Sequence, residues 1–215
     1  MIAAAAVAGT LLATPAAAGP TATVNVVHGI PGVKVAVCVD GAKVVDDYSY
    51  RSKIVGAALP AGTRMVKLVA AGKDCDSSAI LKKSFMLEAG GNYTIVANLN
   101  ADGEPNLRAF ANRVSPTGHG EARLTVRHTA AAPAVNVWAD GGVLIGGDDF
   151  TWGSKATVMV PADTYTVKVT LPGKTAPVIG PRDLKLSAGK AYQVFAVGAA
   201  GSYSFVVIAT PVGQR

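Results

Sequence analysis

The sequence predicts an all-β protein, two tandem Greek-key, immunoglobulin-like β-sandwich domains behind a signal peptide. Three observations carry this. Apolar residues recur with period two along short runs bounded by turn formers. The chain aligns with itself at an offset near one hundred residues, as Val24 against Leu124 shows. No segment keeps a helical period over three turns. Composition agrees: half of the 215 residues are hydrophobic, with Ala and Val dominant, while 6% are aromatic and 16% charged. That excludes a coiled coil, a solvated acidic chain and a multi-span membrane protein.

The N-terminal segment is expected to be removed. An apolar run over 2–12 is followed by Pro15 and by Ala16-Ala17-Ala18, a small-x-small pattern that places a signal-peptidase cut after Ala18. No Lys or Arg precedes the apolar run, so the only cation there is the Met1 amino group. The expected localisation is secreted, extracellular or cell-envelope associated. Near the other end, 194–213 has no charged residue. Its first-repeat counterpart contains the loop Asn98 to Pro105, so the segment reads as two strands and a turn, leaving no transmembrane segment in the mature chain.

The repeat sets the domain boundaries: 1–18 signal peptide, 22–113 first sandwich, 114–121 linker, 122–212 second sandwich. Val35 to Gly41 aligns with Val135 to Gly141, and Leu59-Pro60-Ala61-Gly62-Thr63 with Val160-Pro161-Ala162-Asp163-Thr164. Asp40-Gly41 and Asp140-Gly141 sit between β-branched runs. Both residue types tolerate the positive φ of a type I′ turn, so each pair predicts a hairpin. Leu-x-Ala-Gly-x-x-Tyr occurs twice with one spacing, ending at Tyr93 and Tyr192. This is the pattern of a structural tyrosine corner, with the ring in the core and the hydroxyl bonded to upstream backbone.

These elements resemble the secreted bacterial domain of unknown function numbered 4397. The likeness rests on Val26-Val27-His28-Gly29-Ile30-Pro31-Gly32 and its counterpart from Val126, the Asp-Gly hairpins, Leu59 to Thr63 and the two tyrosine elements. It covers nearly all of 22–212 as two copies. The resemblance implies a secreted or envelope-associated β-sandwich protein and transfers no catalytic residues.

Few residues suggest chemistry. Cys38 and Cys75 are the only cysteines, so a secreted chain has one possible internal disulfide. Trp138 replaces Cys38 in the second repeat, which lacks a partner for Cys75 too. His28 and His128 are repeat-equivalent, but no Gly-x-Ser-x-Gly nucleophile motif accompanies them. Backbone bonding at a strand end is the simpler reading. The pairs Asp46-Asp47 and Asp148-Asp149 supply too few oxygens for calcium. No phosphate loop or zinc motif appears, so neither metal nor cofactor is expected.

The expected function is therefore a secreted or envelope-associated, non-enzymatic binding or structural module. Its alternative is a secreted hydrolase or metal-dependent enzyme using His28, His128 and the acidic loops. Ligand contacts are sought on loops, in 46–53, 72–78 and 146–154. The last holds Phe150 and Trp152, an aromatic pair able to stack a sugar or peptide, or to cover a core edge. With a net charge of +6 and scattered Lys and Arg, the pattern is too diffuse for nucleic acid. It suits an anionic envelope polymer, or an extracellular protein, as partner.

Overall fold

Alternating small apolar residues and Gly-marked reversals leave strand pairing as the economical way to satisfy the backbone. The computed structural model describes residues 19–146 and 149–212; the expected signal peptide and Asp148 lie outside them. The first half contains β1 (Thr21–His28), β2 (Val35–Val39), β3 (Ala42–Tyr48), β4 (Lys53–Pro60), β5 (Gly62–Ala70), β6 (Leu81–Leu87), β7 (Asn92–Leu99) and β8 (Pro105–Ala111). The second contains β9 (Glu121–His128), β10 (Asn136–Ala139), β11 (Gly142–Ile145), β12 (Lys155–Pro161), β13 (Thr164–Thr170), β14 (Pro177–Lys185), β15 (Lys190–Val197) and β16 (Ser204–Pro211).

The strands form four sheets, ordered β4-β1-β7-β8, β3-β2-β5-β6, β12-β9-β15-β16 and β11-β10-β13-β14. Adding eight to each strand number of the first half reproduces the second. Both halves share one parallel pairing, β1 with β7 and β9 with β15. The hairpin turns carry positive φ at both central residues: 50° and 86° at Asp40-Gly41, 48° and 83° at Asp140-Gly141. Each aspartate also ties its turn to the neighbouring strand. Asp40 accepts from Met65 N and Asp140 from Thr166 N, both at 2.8 Å.

Each half has its own core. Val24, Val37, Leu68, Ile95 and Leu107 belong to the first; Leu124, Val137, Val169, Val194 and Phe205 belong to the second. These residues occupy one face of each strand, as period two requires.

The opposite faces hold a result that the repeat does not announce. No strand crosses between the halves, yet they are not separate in packing. Val27 and Val96 on the outer face of the first half meet Phe195, Val197, Val206 and Ile208 of the second in a third buried cluster. Burying each such side chain contributes about 1.5–3 kcal/mol. Strands β1, β7, β9 and β15 are therefore buried on both faces, and two sandwich-like halves become one packed body. The linker is fastened as well: the Arg123 guanidinium donates to the carbonyls of Arg113, Ser115 and Pro116 at 3.3, 2.7 and 3.1 Å.

Candidate functional site

The two histidines end β1 and β9, where alternation turns them into the cores. His28 is fully buried; its Nε2 donates to the Val33 carbonyl at 3.1 Å and its Nδ1 accepts from Ile30 N at 3.3 Å. Those partners fix the tautomer. Nε2 of His128 donates to the Pro133 carbonyl at 2.9 Å. Burial is the main cause that lowers both histidines below their ordinary pKa. Each ring is a latch that closes the loop following its strand, and among the described residues neither bonds a carboxylate that would orient it as a base. Among the described residues no group of three or more His, Cys, Asp or Glu could hold a metal ion.

The acidic pair of the first half organises its own surroundings. Asp46 accepts from Gly72 N and Asp47 N at 2.8 and 2.9 Å, and those backbone bonds lower its pKa. Asp47 pairs with Lys34 at 2.9 Å. Loop 72–78 is held further by the Cys38–Cys75 disulfide, whose Cα atoms are 5.9 Å apart, and by Lys67 Nζ donating to the Cys75 carbonyl at 2.7 Å. The hydroxyl of Tyr93 accepts from Glu88 N at 3.1 Å and that of Tyr192 from Ser187 N at 2.8 Å, the same upstream bond in each half.

Of Phe150 and Trp152, expected either to contact a ligand or to cover a core edge, the first is turned inward. Phe150 is 7% exposed and belongs to the second core, against His128. Trp152 crosses to the first half, where Nε1 donates to the Leu99 carbonyl at 2.9 Å and Arg108 covers its ring at 4.7 Å. An aromatic pair on a loop cannot reveal which surface it will meet; here Phe150 is taken up by the core, while half-buried Trp152 packs on the first half and also lines a groove of about 410 Å³.

Segment 46–53 also lines a groove. Its turn runs along the junction of the halves, where Tyr50, Arg51 and Lys53 face Arg182 and Phe205 across a groove of about 400 Å³. The Tyr50 hydroxyl donates to the Ser202 carbonyl, and Lys53 Nζ donates to the Val207 carbonyl at 2.7 Å. Arg182 lies 4.8 Å over the Phe205 ring and Arg51 5.8 Å over Tyr50. None of the three cations pairs with a carboxylate among the described residues. Scattered in sequence, they converge only because β14 and the β3–β4 turn meet at this junction.

Comparing the repeats shows how the two turns differ. Tyr50-Arg51-Ser52-Lys53 corresponds to Trp152-Gly153-Ser154-Lys155. Opposite Val96, β8 carries Arg108; opposite Phe195, the equivalent strand β16 carries Val206. Arg108 stacks on Trp152, and Val206 lines the groove beside Tyr50. The turn itself calls for a left-handed residue: φ is 88° at Gly153 and 68° at Arg51. Glycine adopts that conformation freely, whereas a residue with Cβ does so at about 1–2 kcal/mol.

Fold and site together define a class: an all-β protein of two like sandwiches joined through equivalent outer faces, with a cationic groove at the junction. The chain belongs to the family of the domain of unknown function DUF4397, whose model matches residues 22–138 and 130–214. No curated protein matches the chain. A solved structure described as "a putative cell adhesion protein" from Bacteroides eggerthii aligns over 90% of this chain and 97% of its own, at 8% identity. Its TM-score of 0.21 is too low to relate the folds. Among the described residues no helix is long and apolar enough to cross a membrane.

Proposed function

We propose that the protein is a secreted or cell-envelope-associated, non-enzymatic module that presents a rigid two-sandwich body to an anionic envelope polymer or an extracellular protein. Residues 1–18 direct export, and 22–113 and 122–212 are its domains. The observation that carries this reading is the use of His28 and His128 as loop latches bonded to Val33 and Pro133. The side chains best suited to acid–base chemistry thus serve the scaffold. Packing between the halves supports it, because a fixed body holds surface groups at constant separation without continued entropic cost.

The test is fractionation of a bacterium expressing the full chain into cytosol, medium and washed envelope, with N-terminal sequencing of the exported form. The expected mature chain begins at Gly19, and the envelope-bound share is released by salt of about 0.5 M, where screening falls well below 10 Å. An uncleaved cytosolic chain would overturn export. Retention that such salt does not touch would replace charge attraction by a different kind of contact.

A further inference from the structure

We propose that the groove at the junction of the two halves binds a linear polymer bearing carboxylate or phosphate oxyanions. This deepens the envelope-module reading and rests on it. Arg51 and Lys53 come from the first half and Arg182 from the second, so the site exists only in the joined body. Guanidinium groups laid over aromatic rings are held flat, leaving their N–H edges to meet oxyanions two at a time. Arg182 over Phe205 has this arrangement, and Arg51 stands near the ring of Tyr50. The Lys53 ammonium spends one donor on the Val207 carbonyl, and two of its three remain.

A second, independent observation comes from the backbone. Arg51 occupies a left-handed turn position that its counterpart fills with Gly153. A bulky cation is retained where local conformation favours glycine, and strain of this kind concentrates at binding sites. The third is the difference between the two turns: the groove beside Trp152, of about 410 Å³, is lined by Ala101, Ala131, Ala132, Pro133 and Thr151 and carries no charge, whereas the one beside Tyr50 gathers three cations. An open cleft with three cations unpaired among the described residues selects a ligand that brings several negative charges. A polymer whose repeat carries one oxyanion can meet guanidinium and ammonium groups from both halves at once.

The experiment measures binding of the mature full chain to polygalacturonate and to a poly(glycerol phosphate) by co-sedimentation and titration at low salt. The groove variant is R51G/R182Q. Gly at position 51 is the residue used by the equivalent turn, so the variant retains its backbone conformation. The control, K82Q/K83Q, removes equal charge from β6, no residue of which lines the groove. Loss of two charge-assisted contacts is expected to weaken binding about tenfold or more, and the control less than about twofold. The salt dependence of the groove variant flattens too. Preference for one polymer over the other tells whether carboxylate or phosphate is the natural oxyanion.

Equal weakening by both variants would show diffuse attraction and overturn the groove, leaving the envelope module standing. Binding of the unaltered chain to isolated envelopes but to neither polymer would likewise overturn the groove. Failure to bind envelopes or polymers would overturn both. Should R51G/R182Q unfold at a lower temperature, the single variant K53Q supplies the same comparison.

Discussion

Arg108 of the first half lies 4.7 Å over the indole of Trp152 from the second, and the same indole donates its N–H to the Leu99 carbonyl at 2.9 Å. At the repeat-equivalent turn Tyr50 reaches in the opposite direction, its hydroxyl bonding the carbonyls of Val197 and Ser202. Two contacts cross near the middle: Asn98 Nδ2 donates to the Thr129 carbonyl at 3.2 Å, and Gly198 N to the Gly29 carbonyl at 3.2 Å. The halves meet through corresponding surfaces, like an isologous dimer within one chain.

Trp152→Ala is expected to destabilise the chain by about 2 kcal/mol, through lost packing and the guanidinium stack. In a double-mutant cycle with Arg108→Ala the coupling should be about 0.5–2 kcal/mol. Urea denaturation measures both. A coupling indistinguishable from zero would mean that the stack contributes nothing to joining the halves.

Gly29 lies where the junction is tightest. A Cβ there would stand 2.7 Å from Val197 Cγ1 and 2.9 Å from the Ala97 carbonyl oxygen. Gly29→Ala should destabilise by about 1–3 kcal/mol, the usual effect of overpacking. An unchanged denaturation midpoint would show that the junction yields freely.

Tyr93→Phe and Tyr192→Phe each remove a hydroxyl that accepts a backbone N–H. Each substitution is expected to lower stability by about 1 kcal/mol. Both variants matching the parent in denaturant would deprive these tyrosines of their corner role.

The disulfide joins residues 37 positions apart. In the chain-entropy model such a bridge contributes about 4 kcal/mol. Because the halves share a buried cluster, its removal in Cys38→Ala/Cys75→Ala should lower one common unfolding transition. Calorimetry resolving two transitions, with only the first moved, would show the halves to unfold independently.

Stability should also fall in mild acid. Both buried histidines have folded pKa values below 6.5, chiefly through burial. The unfolded chain therefore binds protons first, so their contribution is complete above about pH 6.5 and declines as pH falls toward the folded values. Urea midpoints at about pH 7.5 and 5 test this, the lower limit staying above the range where Asp46 titrates. His28→Gln/His128→Gln should flatten the difference. Equal midpoints for the parent chain at the two pH values would refute it.

Much of this architecture is legible in the residues alone. Asp40-Gly41 and Asp140-Gly141 specify their turns because only a few residue types accept two consecutive positive φ values. Cys38 and Cys75 have no other cysteine in the chain to bridge with. Tyr93 and Tyr192 stand out because one spacing occurs twice. Even the double burial of β7 had a trace, since Tyr93, Ile95 and Leu99 alternate with another apolar residue, Val96. Gln193 and Arg127 gave no such signal: a polar side chain on a strand ordinarily faces water, and here both are buried, Arg127 donating to the Ala111 carbonyl of the first half.

Local chemistry acts over a few residues. It sorts side chains into two faces, places the reversals, and repeats the pattern when the sequence repeats. What each outer face meets is a matter of contacts between residues a hundred positions apart, which alternation does not encode. Hence Trp152, set on a loop like a ligand contact, became part of the junction with Arg108. Hence also Arg51, Lys53 and Arg182, unremarkable along the chain, were gathered at one groove by the packing of Val27 and Val96 against Phe195, Val197 and Ile208.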